Sequence, residues 1–433
     1  MALEREPLKL SPDFQYALDL VERTDANAFI TGRAGTGKST LLQLFQRSTR
    51  KKTVVLAPTG VAALNVGGQT IHSFFGFPPR LLSPSDIRKR RNRRLYENLD
   101  VLVIDEISMV RADLLDHIDL FLRVNRENPA PFGGVQMVFF GDLFQLPPVV
   151  SSDAERQLFR TYYDSPYFFS AQVLQGGFRM EMIELQQVYR QEERHFLRLL
   201  EAVRLNRADY DTLEELNRRY LPGFDEAGLF ITLSARNATV DRINRTELDK
   251  LETPAVSFPA KVTGQFNPAL FPTEAQLALK EGAQVMFLRN DPERQYVNGT
   301  IGRVTHLRSD EIRVRLQGSN GPAQELTVQP IEWEILKYRT SETDPDKIET
   351  EVAGTFTQYP LKLAWAITIH KAQGKTFDRA VIDLGRGAFE HGQTYVALSR
   401  CRTLEGIVLK EKLRMEDILV DPRIVEFYEQ QSR

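Results

Sequence analysis

The chain has 433 residues, a formal net charge of -2, 42% hydrophobic residues and 26% charged residues. This is an ordinary composition for a globular chain with enough apolar material for several cores. A single cysteine, Cys401, excludes an internal disulfide framework and fits a reducing compartment. No apolar run is long enough for a bilayer, and the opening MALEREPLKLSPDFQ lacks the apolar stretch of a secretory signal.

In chain order, SP at 11–12 is an N-cap signal followed by proline in the first turn. The segment DFQYALDLVER (13–23) then carries apolar residues at helical spacing. NAFITG (27–32) reads as a short buried strand, and Lys38 to Gln46 as a helix. TVVLAPTG (53–60), VLVIDE (101–106) and VQMVFFGD (135–142) are further apolar runs ending in polar residues. Interleaved with helical segments, they predict a buried parallel sheet. LFITLSARN (229–237) and RAVIDLG (379–385) start the pattern again. Residues 282–336 alternate instead and predict a small antiparallel β module. The polar 338–351 reads as a loop or hairpin tip.

The chemistry begins at GRAGTGKS (32–39), which matches G-x-x-x-x-G-K-[ST] in full between a strand and a helix. Glycines let backbone N–H groups wrap phosphates where the helix dipole favours anions. Gly32, Ala34, Gly35, Thr36, Gly37, Lys38, Ser39 and Thr40 are the expected ATP cradle. Lys38 would reach the β- and γ-phosphates, and the Ser39 hydroxyl would bind Mg²⁺. Asp105, ending a strand, would hold Mg²⁺, and Glu106 would activate the attacking water. Gln145 in GDLFQLPPV would sense the γ-phosphate or the water. Arg190 in QVYRQ and Arg400 in YVALSRCR are candidate arginine fingers.

RKRRNRR (88–94) is a dense basic knot in a slightly acidic chain. It points either to a polyanionic partner or to a solvated face. Near-neutral total charge does not exclude nucleic acid, because one groove can be basic while outer faces are acidic.

In the order GRAGTGKST, APTGVAALNVGGQTIHSFF, VIDEISMV, FGGVQMVFFGDLFQLPPV, QVYRQ, VNGTIG, AITIHKAQGKTFDRAVIDLG and YVALSRCR, these motifs resemble the Pif family of DNA helicases, in helicase superfamily 1B. The match covers about residues 11 to 410, and ADLLDHIDLFLR…FGGVQ resembles the stretch that separates this family from RecD and Dda. The resemblance implies an α/β fold of two tandem RecA-like P-loop domains with parallel sheets. It places the first motor domain at 1–75 and 100–180, with a wedge or pin insertion at 76–99. The second falls at 181–281 and 352–433, with a small SH3-like β-barrel insertion and hairpin at 282–351.

The resemblance also implies ATP and Mg²⁺ as cofactors, 5′→3′ translocation on single-stranded DNA, and duplex unwinding. Forks, RNA–DNA hybrids and G-quadruplexes are the implied substrates. A DNA-stimulated translocase without strand separation and a nucleotide-regulated binding protein remain the alternatives. Gln15 falls where the family reads adenine, Gly374 lines the nucleotide cleft, and Arg190 and Arg400 match the arginines offered to the γ-phosphate. Expected DNA contacts are Pro58, Thr59, Gly60, Thr70, His72 and Phe74 in the first domain. Asn298 and Gly299 of the β module, with His370 and Lys371 of the second domain, complete the track. Phe74 and Phe75 are either base-stacking rings or core. Arg88, Arg90 and Arg91 of the basic knot fall where the wedge meets the duplex junction. The chain looks like a compact, monomeric bacterial motor core working at the nucleoid, away from membranes.

Overall fold

The computed structural model describes residues 10–189, 193–224, 228–293, 295–316 and 324–431. Helix α1 (Pro12–Arg23) starts at Ser11, whose hydroxyl accepts from Phe14 N–H, and buries Phe14, Ala17 and Val21 on one face. Strand β1 (Asn27–Gly32) runs into the P-loop and α2 (Lys38–Ser48). β2 (Thr53–Ala57), α3 (Gly60–Val66), β3 (Gln69–Thr70) and α4 (Ile71–Phe75) follow. Next come the short α5 (Arg94–Glu97), β4 (Val101–Ile104), α6 (Ala112–Arg126) and β5 (Gln136–Phe140). Helices α7 (Asp153–Tyr162) and α8 (Gln172–Gln175) precede β6 (Met180–Leu185).

These strands form a sheet in the order β3-β2-β4-β5-β1-β6, with parallel pairing throughout. Its inner strands are mostly apolar and buried almost throughout, as expected of a sheet covered on both faces. β6 pairs with β1 along all of Asn27–Gly32, so the first sheet extends past the boundary expected at 180. Its half-polar sequence suits an edge strand and gives no fully apolar run to read. A Cβ on Gly32 would lie 2.8 Å from the Leu185 carbonyl oxygen, so this close approach requires glycine.

Beyond it lie α9 (Arg194–Arg204), α10 (Tyr210–Asn217), β7 (Ile231–Ser234) and α11 (Asn237–Asp249). The β module contains β8 (Val256–Pro259), β9 (Lys261–Gly264), β10 (Gln276–Leu279), β11 (Gln284–Phe287), β12 (Ile301–Leu307), β13 (Ile312–Leu316) and β14 (Gln324–Val328). It ends with β15 (Ile331–Thr340), β16 (Ile348–Gln358) and β17 (Leu361–Leu363). One antiparallel sheet has the order β14-β13-β12-β11-β17, beside a β10-β8 pair and a β15-β16-β9 sheet. The module thus begins before the expected 282 and ends after 351, because β8, β10 and β17 complete its core with Phe258, Leu277 and Leu361. The polar 338–351 lies largely in paired strands. Its residues pair across the hairpin, with Arg339 directly opposite Glu349 and Lys337 opposite Glu351.

The hairpin reaches back to the first motor unit. Val55 N–H donates to the Tyr338 hydroxyl at 3.1 Å, and Asn98 Nδ2 donates to Pro345 O at 2.6 Å.

The chain closes with β18 (Ala366–Thr368), α12 (Ile369–Ala372), β19 (Ala380–Asp383), α13 (Gln393–Leu398), β20 (Ile407–Leu409) and α14 (Pro422–Gln431). A second parallel sheet has the order β18-β7-β19-β20. α14, expected with the second motor domain, packs on the first. Phe427 stacks on Phe169 at 4.6 Å, and the Tyr428 and Thr31 hydroxyls lie 2.6 Å apart.

Candidate ATP cleft and DNA track

Gly35 and Gly37 hold φ of 88° and 84°, the left-handed values that turn P-loop amides inward. Lys38 Nζ donates to the carbonyls of Gly32 (2.6 Å) and Arg33 (3.0 Å). Ser39 and Thr40 are exposed at the start of α2. A Cβ on Gly37 would meet Phe14 at 2.9 Å, so α1 lies against the loop. Gln15 stands beside it, exposed, its amide on Asp19 at 3.0 Å. Tyr189 N–H donates to Gly35 O at 2.9 Å, bringing the QVYRQ segment to the loop. Arg190 itself lies outside the described residues.

Asp105 and Glu106 directly follow β4, with Glu106 at φ 51°, an uncommon left-handed conformation for a non-glycine. Burial pushes the Asp105 carboxyl up to about 7, and the neighbouring Glu106 charge adds to the shift. Burial raises Glu106 too, opposed by Lys38 and Arg400. A buried and a half-buried acid whose ionisation is disfavoured, with an exposed Ser39 hydroxyl at the start of α2, are donor chemistry that fits a divalent cation. Gln373 Nε2 donates to Glu106 Oε2 at 3.2 Å, from the second unit to the first. Gln145 is buried and donates to Asp142 at 3.3 Å. Arg400 is 1% exposed, held by the carbonyls of Val396, Ala372 and Lys375 and by Ser399 Oγ. Gly374 has φ 77° and open space beside it.

Two cleft residues escaped sequence reading. Arg204 is buried between Asp142 (3.3 Å) and Glu184 (3.4 Å), with its guanidinium 4.4 Å from the Phe144 ring centroid. The Tyr395 hydroxyl accepts the Ala34 N–H at 3.0 Å. Tyr395 stands in YVALSRCR and signals only as an apolar-helix aromatic; Arg204 looks like any helix-terminal cation.

On the expected DNA track, Thr59 and Thr70 cap α3 and α4 by accepting N–H groups of Ala62 and Ser73. Thr368 caps α12 in the same way, with φ/ψ of -74°/149° against -73°/147° at Thr70. The two T-I-H segments are therefore structural twins, one in each unit. Each capping hydroxyl keeps its own proton for an outside acceptor. Burial and Arg111 lower the His72 pKa, favouring the neutral ring. His370 Nε2 lies 2.9 Å from Glu390 Oε2, and Lys371 is exposed. Asn298 Oδ1 accepts from the buried Lys375 Nζ at 3.1 Å, and Gly299 presses on Thr376 O. Pro58 is half-buried next to Thr59. A Cβ on Gly60 would come within 2.3 Å of a terminal methyl of Leu270 in the β module, so a larger residue there would make Leu270 move.

Two expectations are corrected. Phe74 and Phe75 are both buried against Tyr96 and each other, so neither ring is free to stack on a base in this conformation. Arg90, expected to grip DNA, donates to the carbonyls of Phe75 and Gly76 and lies over Phe121. A helix end left those carbonyls unpaired, and the guanidinium satisfies them. Lys89 and Arg93 pair with Glu127. Arg88, Arg91 and Arg94 are exposed and make no ion pair among the described residues.

Two parallel α/β units, a complete P-loop in the first, and an arginine and a glutamine from the second facing its acids define a P-loop motor ATPase. A family model for PIF1-like helicase matches residues 12–213, and one for the DNA helicase Pif1 2B domain matches 267–307. The ATP-dependent DNA helicase Pif1 of Bdellovibrio bacteriovorus is 33% identical over 98% of this chain and 92% of its own. Bacteroides sp Pif1 in complex with ADP-AlF4 superposes with a TM-score of 0.90, at 36% identity and over 98% of each chain. Bacteroides Pif1 bound to ssDNA gives 0.68 at 37% identity, over 98% of this chain and 97% of that one. Among animal and fungal relatives, the chain spans 60–65% of the longer proteins it matches. The chain belongs to the Pif1 family of ATP-dependent DNA helicases. Among the described residues, no helix is long and apolar enough to cross a membrane.

Proposed function

We propose that this protein hydrolyses Mg²⁺-ATP to translocate 5′→3′ on single-stranded DNA and to unwind duplex. RNA–DNA hybrids and G-quadruplexes are further substrates on this reading. The observation that carries it is the cleft. Glu106 in the first unit meets Gln373 at 3.2 Å from the second, and Gln373 stands three residues beyond His370 of a twin T-I-H cap. A change at the γ-phosphate is thus one short segment away from the strand track. Lys38 and the P-loop amides bind phosphate, Ser39 and Asp105 hold Mg²⁺, and Glu106 accepts the proton of water placed with Gln145. Arg190 and Arg400 offset charge developing on the phosphoryl oxygens. Mg²⁺, when bound, would neutralise phosphate charge.

Thr59, Thr70, Thr368, His72, His370, Lys371 and the 298–299 turn grip the strand. The 5′→3′ direction rests on the likeness to superfamily 1B. The match in shape is better to the ADP-AlF4 structure than to the ssDNA complex. With the hairpin docked on Val55 and Asn98, this supports a β module that moves when the strand enters. ATPase measured with and without oligonucleotide tests the reading. Stimulation by single strands, lost in Lys38→Ala, is expected. Absence of stimulation and of salt-dependent DNA binding contradicts it.

A further inference from the structure

We propose that Tyr395 is a positioning residue for ATP hydrolysis, through which the second motor unit sets the register of the P-loop and of the 142–145 segment. The inference rests on the reading that ATP is hydrolysed between the two units. Tyr395 is 3% exposed, on α13. Its hydroxyl accepts the Ala34 N–H at 3.0 Å and donates to Asp142 Oδ2 at 3.4 Å. Burial and Asp142 keep the phenol protonated, so both roles are available at once.

Asp142 in turn accepts from Gln145 Nε2 at 3.3 Å and from Arg204 at 3.3 Å. One hydroxyl therefore joins the P-loop to the segment carrying the water-placing glutamine. The start of the same helix makes a second contact. Gly392, at φ 73°, is so close to that segment that a Cβ would lie 2.3 Å from Gln145 O and 2.4 Å from Phe144 O. Beyond the other end of α13 stands Arg400, its Nε on Val396 O. A single short helix thus fixes the spacing between a P-loop amide, the Gln145 backbone and the arginine finger.

Tyr395 spends its hydroxyl on protein partners and acts through them. Its loss therefore changes how well the closed cleft is assembled, while the P-loop still supplies binding energy for nucleotide. Such a role appears in kcat, because it favours the transition state over the ground state.

Tyr395→Phe keeps the ring and removes only the hydroxyl. In the full chain with saturating single-stranded DNA, we expect kcat for ATP to fall about tenfold, with KM changing less than about twofold. The preference for ADP with aluminium fluoride over ADP alone should shrink by a similar factor, while ADP affinity stays unchanged. Unchanged ADP affinity and melting temperature also show that the variant is folded. An unaltered kcat and an unaltered fluoride preference overturn the proposal. So does a loss carried entirely by KM. If the unsubstituted protein itself hydrolyses no ATP, the underlying reading fails instead, and the two failures are distinguishable.

Discussion

Glu106→Gln is expected to stop turnover and stabilise the protein in the same stroke. The side chain is half-buried next to the buried Asp105, whose carboxyl is pushed from 3.8 up to about 7, first by burial and then by Glu106. At about 1.4 kcal/mol per pH unit, holding that one carboxyl ionised costs ~4 kcal/mol. Glu106 is raised by burial as well. A glutamine keeps an oxygen for the Gln373 amide, 3.2 Å away, and removes one of the two charges. Part of the cost returns, roughly 1–3 kcal/mol, or about 2–10 °C in melting temperature for a unit of this size.

The sign follows from the raised pKa values. Between about 4 and about 7 the folded protein holds protons that the unfolded chain has released, so stability falls as pH rises through that window. The variant should show a shallower fall. Catalysis moves the other way: removal of a general base lowers kcat about 10²- to 10⁴-fold. The assay pairs melting curves from pH 4 to 8, with chelator and no nucleotide, with steady-state ATPase in Mg²⁺. A variant that melts lower than the parent at pH 7, or keeps more than about a tenth of kcat, refutes this account of the acidic pair.

Arg204→Leu should cost about 3–5 kcal/mol in urea titration, because it leaves the fully buried Asp142 without its cation. A loss under about 1 kcal/mol would show that the pair contributes little. Lys375 is buried, and burial together with Lys362 lowers its amine to about 8. The folded state then loses its proton before the unfolded chain does, so stability rises with pH above about 8. Lys375→Met should be the more stable protein at pH 7, by up to about 3 kcal/mol, with the gap closing by pH 10; a gap independent of pH contradicts it. Replacing Arg88, Arg91 and Arg94 with glutamine should weaken DNA binding and flatten its log–log salt slope by up to about 2, with basal ATPase intact. Replacing Lys89 and Arg93, already paired with Glu127, should move the slope far less. Equal effects from both sets would undo the distinction.

The P-loop, the acids at the end of β4 and the parallel strands are legible because their signals are local: glycine spacing, apolar runs and a strand-to-helix switch. The β module is legible from alternation, but its limits are not. β8, β10 and β17 belong to it through partners distant in the chain. β6 is half polar and reveals its place only through its register with β1. The same holds for Tyr395 and Arg204, whose partners lie 361 and 62 residues away. The basic run shows the opposite failure. Its composition is conspicuous, yet Arg90 serves a helix end and Lys89 and Arg93 serve Glu127. Only the packed structure divides such a run into committed and free cations.

Strand displacement on matched duplexes with a 5′ tail, a 3′ tail or blunt ends separates a 5′→3′ helicase from every alternative. ATP-dependent unwinding of the 5′-tailed duplex alone is expected, and Lys38→Ala should abolish it. Equal unwinding from a 3′ tail, or DNA-stimulated ATP hydrolysis with no strand released from any substrate, would contradict it.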